Sequence, residues 1–249
     1  MTMLSLFHCI KAEFLKCKHS ALFYIHIIVP LLGATIFAGY FRISGWDVPT
    51  KVSAYLEILA VVFPFFIGII IGMIVQNEHQ AGHYQIMLGT IPSRTAAYLG
   101  KIIVLMVGAA EALALAFGVF SIIYQEAPIM LYVHAGGLLV LTVFPLYLIH
   151  LFVGMNFGKG ASMGLGIAGS LAAALMITGL GDTVWKYIPW AWGVRAVDYM
   201  VLAWNTPDVF EAARPDFMAG IRVALLCSAF LLLASIIWFH FWEGGKDND

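Results

Sequence analysis

Charged side chains are scarce in this sequence. Lys, Arg, Asp and Glu make up 11% of its 249 residues, whereas a typical soluble domain has roughly 25%. The net charge is −1, so the chain lacks the basic excess of nucleic-acid-binding proteins, and we expect no nucleic-acid partner. Cysteines are also few. Cys9, Cys17 and Cys227 form no CxxC pair, and this spacing favours free thiols over a disulfide or a metal site.

Motifs that would give the chain its own chemistry are missing. No Gly-Lys pair is followed by Ser or Thr, so there is no G-x-x-x-x-G-K-[ST] phosphate-binding loop. No G-x-S-x-G run suggests a serine hydrolase. His79 and His83 share a helical face, but a zinc protease needs Glu directly after the first His, and Glu78 precedes it. We therefore predict that the chain is not an enzyme, has no catalytic or metal residues and binds no cofactor itself.

Long apolar blocks are what the sequence has in abundance. Hydrophobic residues make up 62% of the chain, and the mean hydropathy is +0.92. An α-helix needs about 20 apolar residues to cross a hydrocarbon core of about 30 Å. The blocks predict an all-α membrane protein with one transmembrane domain over residues 1–249. Its six predicted spans are residues 21–41, 53–75, 98–124, 131–157, 161–180 and 220–242.

Two further segments are typical of the membrane surface. Residues 1–20 are amphipathic and basic, which predicts a helix lying in the interface. Residues 181–219, between spans five and six, are rich in Trp and Tyr, as is typical of the headgroup level. They predict an outer re-entrant or interfacial segment that either anchors the protein or contacts a substrate. Its candidate residues are Trp185, Trp190, Trp192 and Trp204.

The distribution of basic residues predicts the orientation. Lys and Arg are almost evenly divided between the two sides. The first helix and the short loops near it usually dominate, however, and their lysines favour a cytoplasmic N-terminus. With six spans, the C-terminus is then cytoplasmic as well.

Residues 76–97, between spans two and three, form the most polar segment on the predicted cytoplasmic side. Gly89 can end a helix, and Pro92 cannot continue one because it lacks an N–H group. Ser93 can cap the next helix with its side-chain oxygen. We therefore predict a short helix across the cytoplasmic face, followed by a sharp turn into span three.

This segment resembles the first cytoplasmic loop of type-2 ABC transporter permeases. The resemblance depends on three runs: Asn77-Glu78-x-x-x-Gly82, Leu88-Gly89-Thr90-Ile91-Pro92-Ser93-Arg94 and Tyr98-Leu99-Gly100-Lys101. Chain length, six spans, the interfacial N-terminal helix and the aromatic outer segment also match. Within this family the chain is similar to the E and G permease subunits of lantibiotic immunity transporters. The features that indicate this subgroup are Ile91-Pro92-Ser93-Arg94 and Trp185-Lys186-Tyr187-Ile188-Pro189-Trp190.

The resemblance implies a coupling helix that docks on a separate ABC ATPase, which binds ATP and Mg. It also implies a second, different permease subunit and a bacterial plasma membrane. The exported substrate would be a lantibiotic or similar antimicrobial peptide, giving self-immunity or resistance. The residues implied in ATPase coupling are Asn77, Glu78, Gly82, Tyr84, Gly89, Pro92, Ser93, Arg94 and Lys101. We expect Glu78 and Arg94 to contact the ATPase, although Arg94 is also suited to bind lipid headgroups.

The sequence is also compatible with other functions. A permease for a bacitracin-like drug or a lipid would share these motifs. A secondary transporter needs no ATPase, but such transporters often show inverted repeats, which this sequence lacks. A membrane-embedded enzyme would need acid, base or metal-binding residues at one depth, and the sequence does not assemble such a set.

Two carboxylates fall within the predicted spans. Glu111 lies near the middle of span three, where a charge costs at least about 2.5–3.5 kcal/mol, so we expect it to face the protein interior, a partner or water. It is either a contact for a cationic peptide or an interhelical latch, or else a protonated structural residue. Glu57 lies near the outer end of span two and is expected to be interfacial.

Overall fold

The structure is a computed structural model that describes residues 2–18, 20–82, 84, 88–89 and 93–244. In this part of the chain all regular secondary structure is helical, which confirms the all-α prediction. Seven α-helices are defined there: α1 Met3–Lys18, α2 Ala21–Ile43, α3 Val48–Gln80, α4 Arg94–Tyr124, α5 Ile129–Leu175, α6 Pro189–Asn205 and α7 Pro207–Phe241. Two 3-10 turns, Gly179–Gly181 and Trp185–Tyr187, connect α5 to α6.

Side-chain caps fix the beginnings of three of these helices. Ser20 Oγ accepts the Leu22 N–H at 3.3 Å before α2, and Asp47 Oδ1 accepts the Thr50 N–H at 3.3 Å before α3. Ser93 Oγ accepts the Ala96 N–H at 3.3 Å before α4. Each bond satisfies a backbone donor that has no partner within its helix.

Five of the helices are long and apolar enough to cross a membrane: α2, α3, α4, α5 and α7. The chain is therefore a multi-pass membrane protein by length and composition. The predicted boundaries differ most from the structure in two places. The fourth predicted span and residues 161–175 of the fifth both belong to α5, a helix of 47 residues, whereas residues 176–180 follow it. Helix α7 begins at Pro207, so the last third of the predicted outer segment belongs to the final helix.

Helix α5 is divided at Gly158, where φ is 84° and ψ is 179°. A positive φ costs glycine little because it has no Cβ. Before this break, Gly154 packs against Ile71 and Val75 of α3. After it, Gly166 packs so closely that a Cβ there would lie 2.7 Å from the Pro64 carbonyl oxygen.

The chain therefore reverses direction at the break. Gly154, before the break, contacts α3 at Ile71 and Val75, whereas Gly166, after the break, contacts α3 further back, at Pro64. The first arm, residues 129–157, and the second arm, residues 159–175, lie side by side against α3. His150 of the first arm and Ser162 of the second are joined by a hydrogen bond of 3.2 Å between Nδ1 and Oγ.

The bundle has two ends. We call one of them the junction end; it contains the start of α2, the α3–α4 connection, the break at Gly158 and the C-terminus of α7. We call the opposite end the distal end; it contains the α2–α3, α4–α5 and α6–α7 connections. The cores differ accordingly: one apolar cluster contains Ile71, Tyr98 and Phe239, and the other contains Phe41 and Tyr55.

Helix α6 is packed inside the bundle and contacts α3, α5 and α7. Gly193 approaches Leu139 and Thr142 of the first arm. A distal cluster tethers the loop that precedes α6, and Asp216 is its centre. The Asp216 carboxylate accepts hydrogen bonds from Trp185 Nε1 at 3.0 Å and Tyr199 OH at 2.9 Å and forms an ion pair with Lys186.

The aromatic residues of the outer segment occupy different environments. Trp185 and Trp192 are each 1% exposed, so these two indoles are core residues and do not face lipid or a substrate. Trp192 Nε1 donates to the Lys186 carbonyl at 2.8 Å. Trp190 and Trp204 are half-buried, and for these two residues the choice between anchoring and substrate contact stays a prediction.

Candidate coupling site at the junction end

Four charged side chains from three helices meet at the junction end. The Lys101 ammonium of α4 lies 2.6 Å from Glu13 Oε2 of α1 and 2.8 Å from Glu78 Oε1 of α3. The Lys16 ammonium of α1 lies 2.9 Å from Glu13 Oε1 and 2.7 Å from Glu78 Oε1. We call these four residues the junction network.

The junction network is largely removed from solvent. The Lys101 side chain is 2% exposed, Glu78 8% and Glu13 12%, whereas Lys16 is 51% exposed. Two carboxylates balance two ammonium groups, so the buried charges are compensated. A buried ion pair is weak evidence for net stability, but removing one partner is costly because the other charge remains buried.

Close packing of α1 on α4 places Glu13 beside Lys101. At Gly100 a Cβ would lie only 3.0 Å from Cys9 Cβ and 3.2 Å from the Ile10 nitrogen, so a glycine is what lets the two backbones approach. Glu13 lies about one helical turn after Cys9 in α1, and its carboxylate reaches the ammonium group of Lys101, the residue that follows Gly100 in α4. Lys16, three residues further on, shares the face of Glu13.

Cys17 is next to this network. Burial raises the pKa of the Cys17 thiol, the Glu13 carboxylate raises it further, and Lys101 and Lys16 oppose the shift. The thiol therefore remains protonated at neutral pH and is a poor metal ligand. In the described part of the chain no three His, Cys, Asp or Glu side chains are grouped as a metal site.

Arg94 links the same region to the end of the last helix. Its Nη1 donates to the His240 carbonyl at 3.1 Å and to the Trp242 carbonyl at 2.9 Å. These carbonyls lie at the C-terminus of α7, where backbone acceptors lack helical partners and the helix dipole favours a cation. Arg94 is thus engaged within the chain, and its contact with an ATPase stays a prediction.

Tyr84 anchors the α3–α4 connection on an aromatic cluster. It has a φ of 65° and is 5% exposed, and its ring lies 5.0 Å from that of Trp242. Its hydroxyl donates to the Val75 carbonyl at 3.4 Å. Tyr98 of α4 stacks on Phe239 of α7 at 4.8 Å, so α3, α4 and α7 converge here.

The residues implied in coupling therefore fall into two groups. Glu78, Tyr84 and Lys101 are buried. Asn77, Gly82 and Gly89 are exposed, and Ser93 caps α4. Pro92 and His83 lie outside the described residues.

Sequence reasoning did not identify Glu13, Lys16 or Trp242 as part of this site. The sequence does contain a signal for a residue such as Glu13. Lys101 stands inside an apolar block, and a lysine at that depth requires a carboxylate partner. The sequence does not say which carboxylate, since Glu13 and Lys101 are separated by 88 positions.

The carboxylates of the predicted spans occupy different positions. Glu111 is exposed on α4 and borders a cavity of about 140 Å³ that His26 and Lys18 also line. Glu111 has no hydrogen bond or ion pair to a described residue, so this structure does not show the expected latch within the chain. Glu57 is half-buried and accepts a hydrogen bond from Ser53 Oγ at 2.6 Å.

The fold and this junction define a helical membrane protein whose N-terminal helix, loop and last helix meet at one end. The sequence model of the ABC-2 family transporter proteins matches residues 9–173, about two thirds of the chain and all four members of the junction network. The chain belongs to the ABC-2 transporter family. It is thus a type-2 ABC permease, a transport subunit that pairs with an ABC ATPase. No curated protein matches the sequence.

Proposed function

We propose that this permease couples ATP hydrolysis by a separate ATPase to export through the segment of residues 76–97. The main support for this proposal is the junction network, because Glu78 of that segment forms ion pairs with Lys16 of α1 and Lys101 of α4. The junction end then faces the cytoplasm, with both termini on that side. Each arm of α5 crosses the membrane, which gives six crossings. The shorter arm, residues 159–175, is about 25 Å long at 1.5 Å per residue.

The division between exposed and buried residues supports two roles. Asn77, Gly82 and Gly89 are exposed and form the surface that docks on the ATPase. Glu78 and Lys101 are buried and pass movement inward. Glu78 therefore acts as a positioning residue in this conformation, and an ATPase contact would require its release from Lys16 and Lys101.

Movement of the docked segment would reach most of the bundle. The junction network connects it to α1 and α4, and the Arg94 and Trp242 contacts connect it to α7. Packed helices tend to switch between discrete arrangements, so a rigid-body displacement at one end changes packing along the bundle. ATP and Mg would be bound by the partner ATPase.

For the substrate we propose a lantibiotic or similar antimicrobial peptide, expelled from a bacterial plasma membrane to give self-immunity or resistance. A second, different permease subunit completes the pathway. Both inferences are supported by the resemblance of residues 91–94 and 185–190 to lantibiotic immunity permeases. The exposed Glu111 carboxylate supports a partner or a cationic substrate at that face, since a lone carboxylate in lipid is costly. Export of a bacitracin-like drug or a lipid is the alternative.

Site-specific cross-linking tests the docking surface. Gly89 is exposed, and a Cβ there meets no heavy atom within 4 Å, so Gly89→Cys fits without strain. Gly45→Cys is the matched control, because Gly45 is equally open but lies at the distal end. The three native cysteines are replaced by serine in both proteins.

With the cognate ATPase co-expressed, we expect a cross-link from Gly89→Cys and none from Gly45→Cys. A cross-link only at Gly45→Cys would place the ATPase at the wrong end. Failure of both variants, in a complex that still co-purifies, would show that residues 76–97 are not the docking segment.

A further inference from the structure

The distal end contains a polar cavity of about 320 Å³. It lies between the ends of α2 and α4 and the beginning of α3. Its polar lining consists of Arg42, Lys51, Tyr124, Gln125 and Glu126. The cavity is far from the junction network and plays no part in the coupling proposed above.

Two cations, Arg42 and Lys51, face a single carboxylate, Glu126, in the lining of this cavity. Arg42 donates from Nη2 to the Ile123 carbonyl at 2.7 Å, which uses one of the five N–H donors of its guanidinium group. Lys51 stands in the first turn of α3, where the helix dipole disfavours a positive charge. Neither side chain forms an ion pair with a described residue. This arrangement favours an anion supplied from outside the chain.

The position of the cavity indicates the source of that anion. Phe41 lines the cavity, and its ring packs against Tyr40 and Trp46, which are 49% and 52% exposed. Exposed Tyr and Trp side chains at the end of a membrane-spanning helix are typical of the headgroup level. The most abundant anion at that level is the phosphodiester of a phospholipid.

Glu126 restricts the type of headgroup further. It lines the same cavity as Arg42 and Lys51 and is exposed. A carboxylate there disfavours a second negative charge and suits an ammonium group. A zwitterionic headgroup offers both required charges.

We propose that this cavity binds a phospholipid headgroup from the leaflet at the distal end. Arg42 and Lys51 hold the phosphodiester, and Glu126 holds the amine of phosphoethanolamine. The inference needs only a membrane-spanning bundle and does not depend on which end faces the cytoplasm.

Native mass spectrometry of the purified full chain tests this site. The protein is loaded with phosphatidylethanolamine or phosphatidylglycerol of the same acyl composition. We expect the wild type to retain more phosphatidylethanolamine. Lys51→Gln should lower retention of both lipids, and combining it with Arg42→Gln should lower it about tenfold or more, because charge-assisted hydrogen bonds are lost. Glu126→Gln should abolish the preference between the two lipids.

Controls separate a site from general attraction of lipid to basic residues. Arg222→Gln removes an exposed cation from α7, outside the cavity lining, and should leave retention unchanged. Arg42→Gln also removes the hydrogen bond to the Ile123 carbonyl at the end of α4 and can therefore affect folding. The Lys51 side chain forms no hydrogen bond with a described residue, so Lys51→Gln should fold normally and tests the site by itself. Retention equal to wild type in Lys51→Gln and in the double variant would overturn the proposal, as would an equal loss in Arg222→Gln. Displacement of the lipid by equimolar inorganic phosphate would overturn the headgroup assignment in favour of free phosphate.

Discussion

The junction network and the distal cluster are both polar, but they connect the chain on different scales. In the distal cluster a single carboxylate, Asp216, receives donors from residues 185, 186 and 199, so its partners lie within about thirty positions. In the junction network Glu13 and Lys101 are 88 positions apart. The distal cluster therefore joins α7 to α6 and the loop before it, whereas the junction network joins three helices that are far apart in sequence. Only the junction network includes a residue of the segment 76–97, so it alone is suited to pass movement from that segment to α1 and α4.

Burial separates the two regions as well. The Asp216 side chain is 37% exposed, so water screens its charge and replaces part of a lost interaction. Lys101 is 2% exposed, and no water replaces its partners. Substitutions in the junction network should therefore have larger effects than those in the distal cluster.

The largest effect is expected from Lys101→Met. It leaves the buried Glu13 and Glu78 carboxylates with only the half-exposed Lys16 as a shared cation, which should cost about 3–5 kcal/mol. Thermal unfolding in detergent measures this loss. The triple variant Glu13→Gln, Glu78→Gln and Lys101→Met carries no uncompensated buried charge and should recover most of the stability. A single Lys101→Met variant as stable as wild type would contradict the burial argument.

Gly220→Ala should have the next largest effect. A Cβ at Gly220 would lie 1.9 Å from Trp185 Cη2, and such overpacking typically costs about 1–3 kcal/mol. The unfolding temperature should fall, while ATPase stimulation should stay normal. Gly118→Ala is the matched control because a Cβ there meets no atom within 4 Å, and it should not destabilise. Equal losses in both variants would show that tight contact with Trp185 is not the cause.

Asp216→Asn should have a smaller effect within the distal cluster. It keeps the shape of the side chain but removes the charge that Lys186, Trp185 and Tyr199 donate to, at a cost of about 1 kcal/mol. Chemical denaturation in detergent is the measurement. A loss larger than that of Lys101→Met would reverse the ranking of the two regions.

Arg94→Gln should change stability least, by about 0.5 kcal/mol, because the freed α7 carbonyls can bond to water. Its effect should appear in ATPase activity of the assembled complex, which should respond less to the permease. Unfolding curves and ATPase assays on the same preparation separate the two effects. An unchanged ATPase response would remove Arg94 from the coupling route.

The sequence predicts the helices well and the site only in part. Apolar blocks reveal spans because bilayer thickness sets their length, and Ser93 reveals the start of α4 because a cap acts locally. Composition does not distinguish an indole at the headgroup level from a core indole, so Trp185 and Trp192 were assigned to an interfacial segment although they are buried. The burial of Glu78 could not be predicted from the sequence for a related reason. A charged residue in a polar segment suggests solvent, and its partners come from helices that only the tertiary fold brings together.

The transfer of movement through the junction network is the central claim, and a distance measurement tests it most directly. Spin labels at Lys11→Cys on α1 and Gly45→Cys at the distal end, both exposed positions, report the motion of α1 in a cysteine-free complex with its ATPase. Trapping the ATPase with ATP and vanadate should shift this distance in the otherwise wild-type permease. The shift should disappear in the triple variant Glu13→Gln, Glu78→Gln and Lys101→Met, which should still fold and bind the ATPase. An unchanged shift in the triple variant would contradict the account.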